Sequence, residues 1–161
     1  MNPKNGEILA MASKPDYDPN SPREAKFEVY AKQLEKAEDV DQRSAIISKM
    51  WRNPSVNDIY EPGSTFKLIT ASAALEEDKV FADEVFYDSG YVKIKDRTIK
   101  NWTSRPYGSL TFRKAVEESV NTVFVQVANR LGAETFRKYI EAFGYGSKTG
   151  IEIPGEAEGI I

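Results

Sequence analysis

Residues 60–67 read Tyr-Glu-Pro-Gly-Ser-Thr-Phe-Lys, and the apolar stretch after them has the composition of a helix. Pro62 and Gly63 form a turn that would bring Ser64 to the start of that helix. Lys67 follows three residues later, so its side chain lies on the same helix face as Ser64. A helix N-terminus also offers free backbone N–H groups that can stabilise an oxyanion. The stretch therefore predicts a serine nucleophile with a lysine base, provided that burial keeps the lysine neutral.

Alone, Ser-x-x-Lys is a weak signal, because 12 Ser and 14 Lys in 161 residues give about one such pair by chance. The structural alternative is an N-cap serine followed by a surface lysine. A second motif, Ser119-Val120-Asn121, lies between two predicted helices, where a hydroxyl and an amide could project into one cleft. Its structural alternative is a helix cap at Asn121. Ser55-Val56-Asn57 has the same pattern, but it precedes Ser64 in a proline-flanked loop, and we assign it no role.

The composition excludes several classes of site. The chain has no His and no Cys, which rules out Ser-His-Asp catalysis, cysteine nucleophiles, disulfides, and the common zinc, haem and iron–sulfur sites. The net charge of −3 does not suggest a nucleic-acid partner. No apolar run approaches the ~18–20 residues of a membrane span. We therefore expect no cofactor, no metal and no nucleic acid, and any catalytic base must be Lys, Asp, Glu or Tyr.

Hydrophobic periodicity predicts an α+β chain that is mostly helical. A strand is expected over 7–12 and a hairpin from 91–94 with 98–102. The expected helices are one within 23–49 with Phe27, Tyr30 and Leu34 on one face, one around 42–50, one over 64–77, one from an N-cap at Thr111 to Glu118, one from an N-cap at Asn121 to Leu131, and one around 136–143. In the helix over 64–77, the side chains expected to be largely buried are Phe66, Leu68, Ile69, Ala73 and Leu75.

These motifs and their flanking segments resemble the transpeptidase domain of class B penicillin-binding proteins. The matching segments are 2–20, 51–77, 107–132 and 144–156, so the likeness covers nearly the whole chain. The character is that of stage V sporulation-type members from Gram-positive bacteria. The resemblance implies a mostly helical partial domain of the β-lactamase/penicillin-binding transpeptidase fold over residues 1–161, with no second domain and with much of the central antiparallel sheet missing.

The resemblance also implies a role for four residues. Ser64 would be the nucleophile acylated by the penultimate D-Ala of a peptidoglycan stem peptide or by a β-lactam, with its own backbone N–H forming half of the oxyanion hole. Lys67 would be the general base. Ser119 would relay a proton to the leaving group and orient Lys67, and Asn121 would bind Lys67 and the amide carbonyl of the substrate. The implied partners are D-Ala-D-Ala stem peptides and β-lactam antibiotics, met at the extracytoplasmic face of a bacterial membrane to which the longer protein is anchored.

Lys148-Thr149-Gly150 spells the third motif of this family, but we interpret it as a structural loop. It follows Ser119 by only 29 residues, whereas the family's third motif comes much further along, on a strand beside the active site. The segment 151–156 that follows resembles a different part of the family. We therefore expect a piece of a longer protein that lacks the true third motif and turns over substrate poorly. Unpaired strand edges in such a piece would favour dimers or strand swapping.

Two other functions stay open. One is a helical binding or structural module with a fortuitous Ser-x-x-Lys, and the other is a β-lactamase or β-lactam sensor with the same nucleophile. Applied to a chain extended beyond Ile161, a fluorescent penicillin would separate the binding module from the other two classes, and hydrolysis of the bound drug within minutes would favour a β-lactamase. The long flanking match favours the transpeptidase.

Overall fold

The computed structural model describes residues 1–161, which divide into two compact units. The first unit comprises 1–59 with 150–158, and the second comprises 60–149 with 159–161. The helices of the first unit are α1 (Glu28–Glu35), α2 (Val40–Trp51) and α3 (Pro54–Asn57). The second unit contains a 3₁₀ turn (Gly63–Phe66), α4 (Lys67–Glu76), β1 (Val85–Asp88), β2 (Tyr91–Ile94), β3 (Arg97–Lys100), β4 (Gly108–Thr111), α5 (Phe112–Glu117), α6 (Asn121–Leu131) and α7 (Ala133–Ala142). The chain is thus α+β and mostly helical, and none of its helices is both long and apolar enough to cross a membrane.

Two helices of the first unit, α1 and α2, form where the periodicity predicts them, whereas the short helix α3 lies in a stretch that was predicted to be a loop. Tyr30 and Leu34 are the buried residues of α1, as expected for one helix face, while Phe27 lies just before the helix. α2 begins after Asp39, whose carboxylate accepts a hydrogen bond from the Gln42 N–H at 2.7 Å. A short acidic cap of this kind satisfies one of the free N–H groups of the first turn.

The predicted strand over 7–12 is wrong. These residues are irregular, and Leu9 is 69% exposed. The turn before them does form, since the Gly6 N–H donates to the Asn2 carbonyl at 2.9 Å. A strand needs a partner for its backbone groups, and both two-stranded sheets of the chain are made by residues after 84. Apolar sequence alone therefore does not make residues 7–12 a strand.

The core of the second unit lies between α4, α6 and the β1–β4 sheet. Ala71 and Ala74 on α4 are small, which allows α6 to approach closely. Phe112 lies between Phe86 and Phe124, with ring centroids 5.9 and 6.0 Å away. The other buried members of this core are Val80, Leu110, Ala115, Val120, Val123 and Val127.

The buried face of α4 differs in part from the prediction. Ile69 is 4% exposed and Ala73 is fully buried, as expected, but Leu68 is 62% exposed and Leu75 is also exposed. At ~100° per residue, positions 68 and 75 lie about 130° around the helix from 69 and 73, and here they fall on the face turned away from the core. Helical geometry therefore places two of the predicted core leucines outside.

The β elements are a predicted hairpin and an unpredicted pair. β2 and β3 pair antiparallel with Tyr91 opposite Lys100, and the turn is Lys95-Asp96 because Arg97 already belongs to β3. β1 pairs antiparallel with β4, which comes much later in the chain. In β1, Phe86 and Asp88 point inward, and a buried aspartate hides the alternation that marks a strand.

Two neighbouring substitutions on α4 test this register. Ile69→Ala should lower the free energy of unfolding by ~2–5 kcal/mol, because it leaves a cavity in the core. Leu68→Ala removes the same number of carbons from an exposed site and should change it by less than ~0.5 kcal/mol. Urea unfolding followed by circular dichroism measures both. Equal losses from the two variants would contradict the register of α4.

Candidate active site

Ser64 lies in the 3₁₀ turn that precedes α4. Gly63 has a φ of 61°, a left-handed conformation that glycine adopts without steric cost. The Thr65 hydroxyl donates to the Pro62 carbonyl at 2.8 Å and fixes the turn. Ser64 itself is exposed, and its hydroxyl makes no hydrogen bond within the chain. The predicted delivery of Ser64 to a helix start is confirmed, with a 3₁₀ first turn in place of an α-helical one.

Aromatic packing holds this turn in place. The Phe66 ring makes edge-on contacts with Phe136 and Tyr145, at centroid distances of 5.9 and 5.3 Å. The backbone N–H of Lys67 donates to the Ser64 carbonyl, closing the turn. Lys67 is therefore fixed one turn after Ser64.

The Lys67 ammonium group has three acceptors from the second motif. Nζ lies 2.9 Å from the Ser119 hydroxyl oxygen, 2.7 Å from the Ser119 carbonyl oxygen and 2.5 Å from Asn121 Oδ1. An ammonium has three N–H donors, so these acceptors match its full capacity. Nζ also lies 5.3 Å from the centroid of the Phe124 ring. Lys67 is thus an internal group of the site, and the alternative of a surface lysine is wrong.

Burial sets the charge preference of Lys67. Desolvation lowers the pKa of Lys67 from its ordinary value of 10.5, because removal from water penalises the charged form. None of the ion pairs of the chain includes Lys67, so no carboxylate opposes this effect at close range. The site therefore favours a neutral amine more than an exposed lysine would.

Ser119 owes its position to the way in which α5 ends. Its N–H donates to the Val116 carbonyl at 3.1 Å, and the N–H of Val120 donates to the Ala115 carbonyl at 2.9 Å. This is the Schellman pattern, in which the residue after the C-cap is left-handed and is usually glycine. Ser119 takes that place with a φ of 55°. A non-glycine residue there costs ~1–2 kcal/mol, so the chain keeps a strained serine where its hydroxyl meets Lys67.

Asn121 is not the helix cap that its sequence position suggests. It is the first residue of α6, Val120 holds the N-cap position, and no side chain caps this helix. The Asn121 Nδ2 group instead donates to the Lys100 carbonyl at 2.6 Å, while Oδ1 accepts from Lys67. The amide thus bridges the end of β3 and the lysine.

Sequence reasoning missed two members of this site. Phe124 lies one turn after Asn121 on α6, a spacing that could have identified it. The Lys100 carbonyl carries no signal in the sequence, because any residue supplies the same backbone group.

Lys148 lies in a loop, as predicted. Lys148 is exposed in irregular chain and makes no hydrogen bond or ion pair with Ser64, Lys67, Ser119 or Asn121. The segment after it belongs to the first unit, where the Asn57 side chain donates to the Gly155 carbonyl at 2.7 Å and the Ala157 N–H donates to the Val56 carbonyl at 2.9 Å. Asn57, in the second Ser-x-Asn copy, therefore holds a loop.

Comparison with known proteins identifies the family. The model of the penicillin-binding protein transpeptidase domain matches residues 1–161. The chain belongs to this family. Stage V sporulation protein D of Bacillus subtilis is 42% identical over 162 residues, covering 100% of the chain and 22% of that protein. The peptidoglycan D,D-transpeptidase MrdA of Acinetobacter baumannii is 28% identical, with 99% of the chain and 23% of that protein covered. The chain thus spans about a fifth of the length of these relatives.

Solved structures show the same fold. The D,D-transpeptidase domain of a peptidoglycan glycosyltransferase from Eggerthella lenta is 32% identical with a TM-score of 0.75, covering 97% of the chain and 34% of that structure. Pseudomonas aeruginosa PBP2, solved with WCK 5153, is 29% identical with a TM-score of 0.74, covering 99% and 34%. The predicted family, its sporulation-type character and the partial transpeptidase fold are confirmed.

The strain at Ser119 predicts an inverted order of two substitutions. Ser119→Gly should be more stable than Ser119→Ala by ~1 kcal/mol, since both lose the hydroxyl but only glycine relieves the left-handed conformation. Ser72, exposed inside α4, is the matched control. There glycine should be ~1 kcal/mol less stable than alanine. Thermal unfolding of the four variants compares the pairs, and the same sign at both positions would contradict the strain at Ser119.

Proposed function

We propose that Ser64 is the acylated nucleophile of a serine-type D,D-transpeptidase that cross-links peptidoglycan stem peptides ending in D-Ala-D-Ala. β-Lactams would acylate the same hydroxyl. The observation that carries this proposal is the desolvated Lys67, held by Ser119 and Asn121 one turn after Ser64. The family supports the reaction class, since relatives bear the name peptidoglycan D,D-transpeptidase.

The proposed acylation begins with the proton of the Ser64 hydroxyl. Neutral Lys67 accepts this proton through the lone pair on Nζ, and Ser64 Oγ attacks the carbonyl carbon of the penultimate D-Ala. The Ser64 backbone N–H stabilises the oxyanion that forms. Free catalytic groups often tighten their contacts only when substrate binds, so the absence of a Ser64–Lys67 hydrogen bond does not exclude this step.

The second half of acylation returns the proton. Lys67, now an ammonium, passes a proton through the Ser119 hydroxyl to the nitrogen of the departing D-Ala as the C–N bond breaks. An acyl ester on Ser64 is left. The amine of a second stem peptide then attacks this ester, forming the cross-link and restoring the Ser64 hydroxyl. In this scheme, Asn121 holds Lys67 and donates an N–H to the amide carbonyl of the substrate.

The proposed setting is the outer face of a bacterial membrane, where peptidoglycan stem peptides are found. The longer protein would be anchored there and serve cell-wall synthesis during sporulation, in line with the name of the relative from Bacillus subtilis. A non-catalytic helical module is less well supported. Such a module gains nothing from a strained Ser119 that faces a desolvated Lys67.

Labelling by penicillin tests the nucleophile. After incubation with excess penicillin, intact-mass spectrometry of a chain extended to the full transpeptidase domain should show one adduct, at Ser64, and none in Ser64→Ala. Lys67→Met and Lys148→Met form a matched pair. The first should abolish labelling within the time of the experiment, because the base is lost, and the second should leave the rate unchanged. If Lys148→Met lost labelling and Lys67→Met did not, the assignment of the base to Lys67 would be wrong.

The rate of labelling should depend on the length of the chain. Residues 1–161 supply no strand-borne Lys-Thr-Gly, because Lys148 lies in irregular chain. In the family, the strand with this motif supplies the second oxyanion N–H and a cation for the substrate carboxylate. Losing one oxyanion donor lowers the rate ~10²–10³-fold, and losing the cation lowers the rate further. A chain extended to the length of the full transpeptidase domain should therefore label ~10³-fold faster than the 161-residue chain. Equal rates would show that the third motif is dispensable.

The acylation rate should rise with pH. The reactive form carries a neutral Lys67, so the rate grows as the ammonium loses its proton and levels off above the pKa of Lys67. Because burial lowers that pKa, the midpoint should lie below 10.5. Initial labelling rates measured across neutral and alkaline pH give the midpoint, with spontaneous hydrolysis of penicillin subtracted. A rate that falls over the same range would argue against a lysine base.

A further inference from the structure

We propose that Asp88 and Thr122 are positioning residues for the acylation site, acting through the side-chain amide of Asn121. This inference rests on the proposed function, in which Asn121 holds Lys67. Neither residue has a part in the chemical steps, and Asp88 is the one fully buried carboxylate of the chain, at 0% exposure.

The Asp88 carboxylate is bound entirely by neutral donors. Oδ1 accepts from the Gly90 N–H at 2.8 Å, from Asn101 Nδ2 at 2.9 Å and from the Thr122 hydroxyl at 2.5 Å. Oδ2 accepts from the Tyr107 N–H and again from Asn101 Nδ2, both at 2.8 Å. No cation forms an ion pair with it. A buried charge without a counter-ion is costly, so this arrangement depends on all of these hydrogen bonds.

The charge state of Asp88 follows from these contacts. Burial raises the pKa of Asp88, but the hydrogen bonds from Thr122, Tyr107, Gly90 and Asn101 outweigh it, and the pKa is lowered overall. The side chain is therefore an ionised acceptor at neutral pH, and each of these N–H and O–H groups donates to its carboxylate.

This carboxylate fixes the end of β3 against the start of α6. Asn101 directly follows Lys100, and Thr122 directly follows Asn121. Asp88 binds both Asn101 and Thr122, and the Thr122 N–H also donates to Asn101 Oδ1 at 3.4 Å. Asp88, Asn101 and Thr122 thus form a triangle of mutual hydrogen bonds, the Asp88 triangle. This triangle sets the distance between the preceding residues, Lys100 and Asn121.

With Lys100 held in this place, the Asn121 amide can take only one orientation. Nδ2 donates to the Lys100 carbonyl, which leaves Oδ1 facing Lys67. If Lys100 moved away, the amide could rotate and present N–H groups to the ammonium, a contact between donors. The Asp88 triangle thus secures an acceptor for Lys67 from a place outside the reacting groups.

Thr122 offers the cleaner test, because loss of the Asp88 charge would endanger folding. Thr122→Val keeps the shape and removes the hydroxyl, and Thr122→Ser keeps the hydroxyl as the matched control. In crystal structures of the 161-residue chain, the Lys67 Nζ to Asn121 Oδ1 distance should lengthen beyond ~3.2 Å in Thr122→Val and remain a hydrogen bond in Thr122→Ser. An unchanged distance in Thr122→Val would overturn the proposal whether or not Ser64 is acylated.

Acylation kinetics give the second readout. The rate constant of penicillin labelling, measured for the fraction of chains that labels, should fall about tenfold in Thr122→Val, equivalent to ~1.4 kcal/mol. It should recover in Thr122→Ser. In an Asn121→Ala background, Thr122→Val should have no further effect, since the two residues act through one contact. A merely destabilising change would lower the labelled fraction and leave this rate unmoved. An equal fall in both backgrounds would overturn the role of Asn121 as the intermediary. These rates are measured on a chain extended to the length of the full transpeptidase domain. If that chain does not label at all, the proposed function fails, and the crystal structures alone decide the positioning role.

Discussion

The ammonium group of Lys67 is the point on which the second unit depends. Its three acceptors come from the Ser119 hydroxyl, the Ser119 carbonyl and the Asn121 amide, which belong to the junction of α5 and α6. That junction has to be left-handed at Ser119 for the contacts to exist. The packing of α4 against α6 then keeps the lysine beside this junction. One desolvated amine therefore ties the first turn of α4 to the break between two other helices.

Strain and buried charge are concentrated around this amine. Ser119 occupies a conformation that glycine would adopt more easily, and Asp88 is buried without a cation. The strain at Ser119 opposes stability, whereas the hydrogen bonds of Asp88 outweigh the cost of burying its charge. Their common result is a fixed set of acceptors for Lys67. The free energy that the strain at Ser119 costs is consistent with a site in which position matters more than local stability.

The sequence predicted the parts of the site that follow from spacing. Ser64 and Lys67 are three residues apart at a helix start, and Ser119 and Asn121 lie between two helices, so local geometry is enough to bring them into view. The meeting of the two motifs came from the family resemblance, since no local rule connects residue 67 with residue 119. The fold followed the same division. The β2–β3 hairpin and every helix except the four-residue α3 are local and were predicted, while β1–β4 pairs distant segments and was not. The strand expected over 7–12 failed because apolar sequence cannot supply a pairing partner. The local rule for helix caps failed at Asn121, because its side chain accepts a hydrogen bond from Lys67 and does not cap α6.

Two of the contacts that fix this site come from main-chain carbonyls, those of Ser119 and Lys100. A carbonyl oxygen stays the same whatever residue carries it, so point substitutions at these positions cannot delete the acceptor and can only shift it. The side chain at position 100 can therefore change without deleting the oxygen that orients the Asn121 amide. A substitution at either position can therefore alter the surroundings of Lys67 only by moving the backbone that carries these carbonyls.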